Sequence, residues 1–442
     1  MTITLQSVGS DATLPARADV VVIGGGIVGI AAAWFLARKG RTVAVVEKGR
    51  IAAEQSSRNW GWCRQQNRDL REMPLSGLAM DAWNEFSTAL EHDTGFRRTG
   101  LIYVTKSDSE LAGWAGWIDR AREFQVHSRV LTAVEARAMT PGNDQDWIGG
   151  VFSPNDGRAE PNMAAPAIAE GARALGASLH QDCAVRGLDI QGGRIAGVVT
   201  EKGRIASDAV LCAGGAWASM FCRRHGIDFP QAGIRSTVFA TTPGPQVTPG
   251  GLVTPELILT PRLDGSYIVA AQDRGTLEIT PQGVRYARAF WPTFAERRAK
   301  LKIRVGRSLL TGPEALVGKW DLDKPTPFER HRIYSPTPDA KVPGPALAAL
   351  KQAYPALAGV GVGSLWAGWI DVTPDSVPVI SPVESLPGFW LAAGFSGHGF
   401  GIGPGAGRLA ADLVNGDHPS VDPTPFRLSR LVDGSPLSPG SM

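Results

Sequence analysis

Hydrophobic and polar positions change pattern three times between Ala18 and Glu47. Ala18-Asp19-Val20-Val21-Val22-Ile23 ends in a β-branched run suited to a strand buried on both faces. Gly24-Gly25-Gly26-Ile27-Val28-Gly29 follows, then an alanine-rich helical stretch from Ile30 to Lys39 that stops at Gly40. Thr42 to Val46 is again strand-like and closes on Glu47. Further along, Pro161 to Ala177 predicts a second alanine-rich helix. A meander is expected over Ala184–Ile190, Arg194–Thr200 and Ile205–Leu211, with turns at Gly192-Gly193 and Lys202-Gly203. Ala209 to Cys212 reads as a buried strand running into Gly214 and Gly215. Residues 231–343 are richer in proline, with strands at Leu257–Leu259 and Tyr267–Val269 and a charged helix near Phe294–Val305. Glycine returns between Trp366 and Asn415, where a helix is expected over Pro404–Leu413. No internal repeat is present.

The first unit is a βαβ element with Gly24, Gly26 and Gly29 at its strand–helix junction, the context that makes this spacing specific for a dinucleotide. Gly24 permits the tight turn, Gly26 admits a pyrophosphate to the backbone, and Gly29 lets helix pack on strand. The free N–H groups of the helix start then face the phosphates. Glu47 is placed to accept ribose hydroxyls and to repel a 2′-phosphate.

Composition narrows the alternatives. A length of 442 residues allows one to three domains, and 53 glycines point to several close approaches of backbone to ligand or neighbour. With 45 Lys+Arg against 42 Asp+Glu, the charge is too balanced for a protein that tracks nucleic-acid phosphates. Cys63, Cys183, Cys212 and Cys222 have neither metal-ligand nor disulfide-framework spacing, so no metal is expected and a reducing cytoplasm is the default. Residues 1–17 lack the features of a signal peptide, and the apolar run Val20–Ile30 is too short for an integral membrane segment.

Four motifs together make the chain resemble the FAD-dependent oxidoreductases of the D-amino-acid oxidase, glycine oxidase and sarcosine oxidase superfamily. They are the dinucleotide unit with Glu47; Ser56-Ser57-Arg58-Asn59-Trp60-Gly61; Leu211-Cys212-Ala213-Gly214-Gly215-Ala216-Trp217; and the pair Trp366-Ala367-Gly368…Thr373-Pro374-Asp375 with Gly394-Phe395-Ser396-Gly397-His398-Gly399-Phe400. The resemblance implies an α/β fold, with a Rossmann-like FAD domain of glutathione-reductase type and an inserted domain on an antiparallel sheet. Residues 1–90, 151–230 and 361–442 are assigned to the first, and 91–150 and 231–360 to the second. It implies FAD contacts from Gly24, Gly26, Ile27, Val28, Gly29, Glu47 and Lys48, from Ser56, Ser57, Arg58, Asn59, Trp60 and Gly61, and from Val185, Gly214, Gly215 and Trp217. Gly368, Gly397, His398, Gly399, Phe400 and Gly401 complete the set. Trp60 and Trp62 are expected either as walls of the flavin pocket or as core. Neither of the relatives' covalent anchors, a cysteine before the Thr-Pro-Asp motif or a histidine in the N-terminal flavin loop, is present, so noncovalent FAD follows.

The implied chemistry is hydride transfer from a neutral amine to flavin N5, followed by hydrolysis of the imine, with O2 or a quinone or carrier protein as electron acceptor. Relatives acting on simple amino acids carry an arginine where this chain has Ile370, followed by Asp371. That departure favours a larger amine or N-substituted amino acid. Asp371 is the candidate contact for a cationic part of the substrate, against the alternative that it only stabilises the turn before Thr373-Pro374-Asp375. Arg64 is the candidate anchor for a carboxylate, His398 a candidate for stabilising the reduced flavin through backbone or imidazole, and Tyr267 a weaker candidate expected in the core. Oxidation of ordinary D-amino acids, or a flavin subunit of a hetero-oligomeric dehydrogenase, is the alternative. Oligomeric state is left open.

Overall fold

A computed structural model describes residues 4–271, 275–315 and 319–439, so the first three residues of the N-terminal stretch lie outside it. The βαβ unit forms as Val20–Ile23, Ile27–Arg38 and Val43–Val46. The helix begins three residues earlier than the pattern predicts, since Ile27, Val28 and Gly29 already form its first turn. Its strands sit in a six-stranded sheet, in the order Val379–Pro382, Phe389–Ala393, Ala209–Cys212, Val20–Ile23, Val43–Val46 and Ser178–His180. All neighbours run parallel except the first two.

The segment expected as one strand over Ile205–Leu211 is two. Gly203–Ala206 closes a three-stranded antiparallel meander with Val185–Gln191 and Arg194–Thr200, while Ala209–Cys212 enters the parallel sheet. Ser207 and Asp208 separate the two: Ser207 N still donates to the Ala196 carbonyl of the meander, while its hydroxyl lies within hydrogen-bond reach of the Asp19 and Ala209 carbonyls on the side of the parallel sheet. The helix predicted over Pro161–Ala177 is shorter, Ala164–Ala174.

A ten-stranded sheet carries the rest, apart from a two-stranded ribbon of Trp62–Cys63 and Gly157–Arg158. It was expected to be antiparallel, but Gly251–Val253 pairs with Leu101–Thr105, and Gly275–Glu278 with Leu301–Arg304, in parallel. Val362–Val372 lies antiparallel along Ala232–Thr241, so this sheet extends past residue 360, the expected end of the inserted domain. The charged helix near Phe294–Val305 is displaced to Ala287–Arg297, and Leu301–Arg304 is a strand.

The last helix, Gly399–Asn415, is the least obvious from sequence because it holds alternate glycines and Pro404. Its glycines are packing surfaces. A Cβ on Gly401 would stand 2.6 Å from the Trp62 carbonyl, and one on Gly405 2.6 Å from that of Leu75. On the adjoining face, a Cβ on Gly403 or Gly407 would press into Ile27 (2.8 Å) or Ala31 (2.6 Å). Bare backbone here lets Met73–Ala89 and Ile27–Arg38 approach closely on either side. Trp83 secures the first contact by donating from Nε1 to the Gly401 carbonyl at 2.8 Å. Among the described residues no helix is long and apolar enough to cross a membrane.

Candidate active site

The starts of Ile27–Arg38 and Gly399–Asn415 open on one cavity of about 960 Å³, so two positive helix ends face the same space. Gly24 makes the turn beneath it with φ +108°, and a Cβ there would meet the Ala213 carbonyl at 2.5 Å. Gly26 differs: its added Cβ would touch only Ser56 Oγ, at 3.3 Å, and would otherwise project into free space. Gly29 does not line the cavity. A Cβ there would stand 2.2 Å from the Gly24 carbonyl, which is the helix-on-turn packing expected of the third glycine.

Side chains of the fold itself hold this turn. Glu47 accepts from Gly25 N and Gly49 N, each at 2.7 Å, and Ser56 Oγ accepts from Ile27 N at 2.9 Å. Burial is the largest influence on the Glu47 carboxyl and raises its pKa, against the pull of Lys48 and the two N–H groups. Lys48 reaches Glu54 at 2.7 Å and sits 4.3 Å from the Trp217 ring centroid. Val28, Val185, Gly214, Gly215, Gly368, Gly397, Gly399 and Phe400 also line the cavity. At Gly214, Gly215, Gly368 and Gly397 no atom comes nearer than 3.5 Å to an added Cβ, so the wall is kept free of side chains there. A bare-walled cavity with a half-buried acidic acceptor and two helix starts fits an elongated dinucleotide such as FAD.

Several expected contacts take other roles. Ser57 and Gly61 do not line the cavity. The Ser57 hydroxyl bonds the Glu54 carbonyl (3.2 Å), and a Cβ on Gly61 would meet the Ala159 carbonyl at 2.4 Å. Arg58 and Asn59 do line it, yet both brace the loop: Arg58 donates to the Tyr334 and Ala53 carbonyls, Asn59 to those of Gln55 and Ser56. Trp60 and Trp62 line the cavity edge-to-face with centroids 5.3 Å apart, and Trp62 is also core. Tyr267 is buried, donating to the Pro245 carbonyl and accepting from Val247 N.

Asp371 requires correction. It reaches the wall, but both carboxylate oxygens are taken: Oδ1 accepts from Gln55 Nε2 (3.1 Å), and Oδ2 from Gln231 Nε2 (3.1 Å) and Gly394 N (2.9 Å). Burial pushes its pKa up to about 6. It ties the Gln55 turn and Gln231 to the glycine loop, so its carboxylate is largely spent inside the fold.

What the sequence reading missed is the cluster below Arg64. Arg64 Nη1 donates to the Gln66 carbonyl (2.5 Å) and Tyr103 Oη (3.0 Å) while lining the cavity. Arg68, only 3% exposed, lines it too, and its Nε and Nη1 have no hydrogen-bond partner among the described residues. Burial first, then the charge of Arg64, pulls the Arg68 pKa down to about 9. His398 stands beside these guanidiniums with Nδ1 3.2 Å from Glu72 Oε2. Burial, then Arg68, depresses its pKa to about 4, so a cationic imidazole is not available at neutral pH. Phe290, Trp291 and Phe294 add an aromatic wall from Ala287–Arg297. The one sequence signal for this cluster is the four-residue steps from Arg64 to Arg68 to Glu72, and the stretch lacks the regular structure that would give such spacing meaning. Among the described residues no group of three or more His, Cys, Asp or Glu could hold a metal.

Comparison with known proteins gives one consistent picture. A family model described as FAD dependent oxidoreductase matches residues 19–413. Glycine oxidase of Pseudomonas putida is 25% identical over 424 residues, covering 92% of this chain and 97% of the relative. Human mitochondrial sarcosine dehydrogenase is 25% identical over 96% of this chain, which spans only 42% of that relative's length. Among solved structures, L-amino acid deaminase from Proteus vulgaris superposes with a TM-score of 0.90 at 30% identity, covering 96% of this chain and 99% of the other. L-amino acid deaminase from Proteus myxofaciens, in complex with anthranilate, gives 0.91 at 28% identity, covering 97% and 96%.

Proposed function

The chain belongs to the FAD-dependent oxidoreductase family, and from that premise we propose that it oxidises the C–N bond of a bulky or N-substituted amino acid. One observation carries the reading: Arg68 is a buried cation on the cavity wall with two donor nitrogens unpartnered among the described residues. A buried guanidinium with unmet donors calls for an anion, and a carboxylate matches its fork geometry. Arg64, bonded through Nη1 on the same wall, adds positive potential.

Three acidic side chains of the wall point the same way. Glu54 is paired with Lys48, Glu278 with Arg235, and Asp371 with two amides and a backbone N–H. A polyamine-type substrate would therefore find these carboxylates already engaged. Trp60, Phe290, Trp291 and Phe294 supply apolar surface for a side chain or N-substituent. Ile370, at the position where relatives acting on simple amino acids carry an arginine, leaves the carboxylate to Arg64 and Arg68.

Bound FAD would serve as the two-electron acceptor for the substrate C–H bond, and the resulting imine hydrolyses in water. The chain's own part is orientation and electrostatics. The two guanidiniums hold the carboxylate and disfavour a second positive charge, so the amine is favoured in its neutral, oxidisable form. Gly397 to Gly401 present a helix start to developing negative charge.

The test is anaerobic mixing of purified protein with a panel of amino acids, N-alkyl amino acids and amines while the flavin absorbance is followed. Bleaching by bulky or N-substituted amino acids is expected. Bleaching by polyamines alone would overturn the reading. Reoxidation of the bleached sample by O2 against a quinone then identifies the electron acceptor.

A further inference from the structure

Resting on the functional reading above, we propose that Glu72 is a positioning residue for the substrate amine. Through Nδ1 it fixes the ring of His398, so that Nε2 faces the cavity as a hydrogen-bond acceptor for the amine N–H.

Both members of the pair are deeply buried, Glu72 at 0% and His398 at 4% exposure. His398 Nδ1 hydrogen-bonds Glu72 Oε1 at 3.5 Å and lies 3.2 Å from Oε2, which has no hydrogen-bond partner among the described residues. A neutral imidazole has one N–H, and a carboxylate against Nδ1 draws it there, leaving the lone pair on Nε2. His398 lines the cavity whereas Glu72 does not, and the cavity side of the ring is assigned to the nitrogen away from the carboxylate. That Nε2 is buried without a hydrogen-bond partner among the described residues. A buried acceptor left unmet is costly, so its natural partner is a donor that the cavity takes in.

Arg68 supplies the complement. Its unpartnered Nε and Nη1 are donors on the same wall, and its charge is the second-largest influence keeping His398 neutral, after burial. Donor and acceptor together match an α-amino acid, whose carboxylate accepts and whose amine donates from the adjoining carbon. A carboxylate without an amine, or an amine without a carboxylate, satisfies half of the site.

The experiment compares Glu72→Leu, which removes the acceptor, with Glu72→Gln, which keeps an amide oxygen in the same place. Histidine ¹⁵N NMR of the purified holoprotein reports the tautomer, with His398 signals assigned by their loss in His398→Gln. The expected result is the Nδ1–H tautomer in wild type and Glu72→Gln, and loss of that preference in Glu72→Leu. Glu72→Leu should raise KM for the best amino acid at least tenfold and change kcat less than threefold, with FAD content unchanged; Glu72→Gln should restore KM. Should Glu72→Leu fail to fold, His398→Gln against His398→Leu carries the same test, since only glutamine supplies an acceptor. An Nε2–H tautomer in wild type would overturn the proposal. So would a Glu72→Leu enzyme that loses FAD but keeps its KM, because the acceptor would then serve the flavin. Failure of every amino acid and amine to reduce the wild type would instead overturn the functional reading, independently of the tautomer.

Discussion

Gly25 N donates to Glu47 Oε2 at 2.7 Å, joining the glycine turn after the first strand to the end of the second. The other carboxylate oxygen accepts from Gly49 N at the same distance, so Glu47 is held from both sides. The turn and the acidic residue thus form one hydrogen-bonded unit.

Gly26 and Gly29 should separate cofactor binding from folding. Gly26→Val places its side chain where only Ser56 Oγ is near, so the apoprotein should fold with little change in Tm but elute from gel filtration without flavin absorbance. Gly29→Val drives a branched side chain into the Gly24 carbonyl and should destabilise the fold by several kcal/mol or prevent it. Equal Tm losses in the two variants would contradict the division.

FAD should leave the protein on acid precipitation, giving a yellow supernatant and a colourless pellet. Cys212 is the one cysteine lining the cavity, and burial pushes its thiol up to about 12, which suppresses the thiolate needed for covalent attachment. Flavin remaining with the washed polypeptide would refute this.

The difference between Gly26 and Gly29 is legible in sequence because each has a fixed duty in a βαβ unit whose strands announce themselves. The last helix is not legible to the same degree. Gly401 and Gly403 read as loop ahead of a helix over Pro404–Leu413, and only tertiary neighbours show that the bare backbone of Gly401, Gly403, Gly405 and Gly407 serves packing against Trp62, Ile27, Leu75 and Ala31. Asp371 is similarly ambiguous: a carboxylate beside a flavin motif is a fair ligand candidate until Gln55 and Gln231, far away in sequence, are seen to occupy it. Arg68 and Glu72 carry no signal of their own, since burial is what gives them meaning.

Acid should weaken the fold partly through His225. Its Nε2 accepts from Leu188 N at 3.2 Å and so must be neutral in the folded chain; burial, then Arg224, pulls its pKa down to about 4. The unfolded value is about 6.5, so between the two the unfolded chain takes up a proton that the folded chain refuses. The contribution is whole above pH 6.5 and is lost as pH falls toward 4. His398 acts with the same sign, whereas Asp156 and Asp371, raised to about 6, lose stability as pH rises through that window. His225→Gln keeps an acceptor for Leu188 N and isolates one contribution. Urea unfolding at pH 7 and pH 5 should show the variant losing about 2 kcal/mol less than wild type over that interval. Equal losses would count against it.

Arg68→Met and Arg64→Ala should rank the two cationic anchors. Arg64 has protein partners in the Gln66 carbonyl and Tyr103 Oη, so part of its hydrogen bonding is spent inside the fold. Arg68 has two donor nitrogens without such partners among the described residues. A charged hydrogen bond is worth about 1.5–3 kcal/mol, so Arg68→Met should raise KM for the best amino acid roughly 10- to 100-fold. Arg64→Ala should raise it less. Substrates distinguish an anchor from general damage: a simple amine lacking the carboxylate cannot use Arg68, and its slow rate should be nearly the same in wild type and Arg68→Met. An Arg68→Met enzyme equally impaired toward both would mean that the guanidinium shapes the cavity without binding the carboxylate.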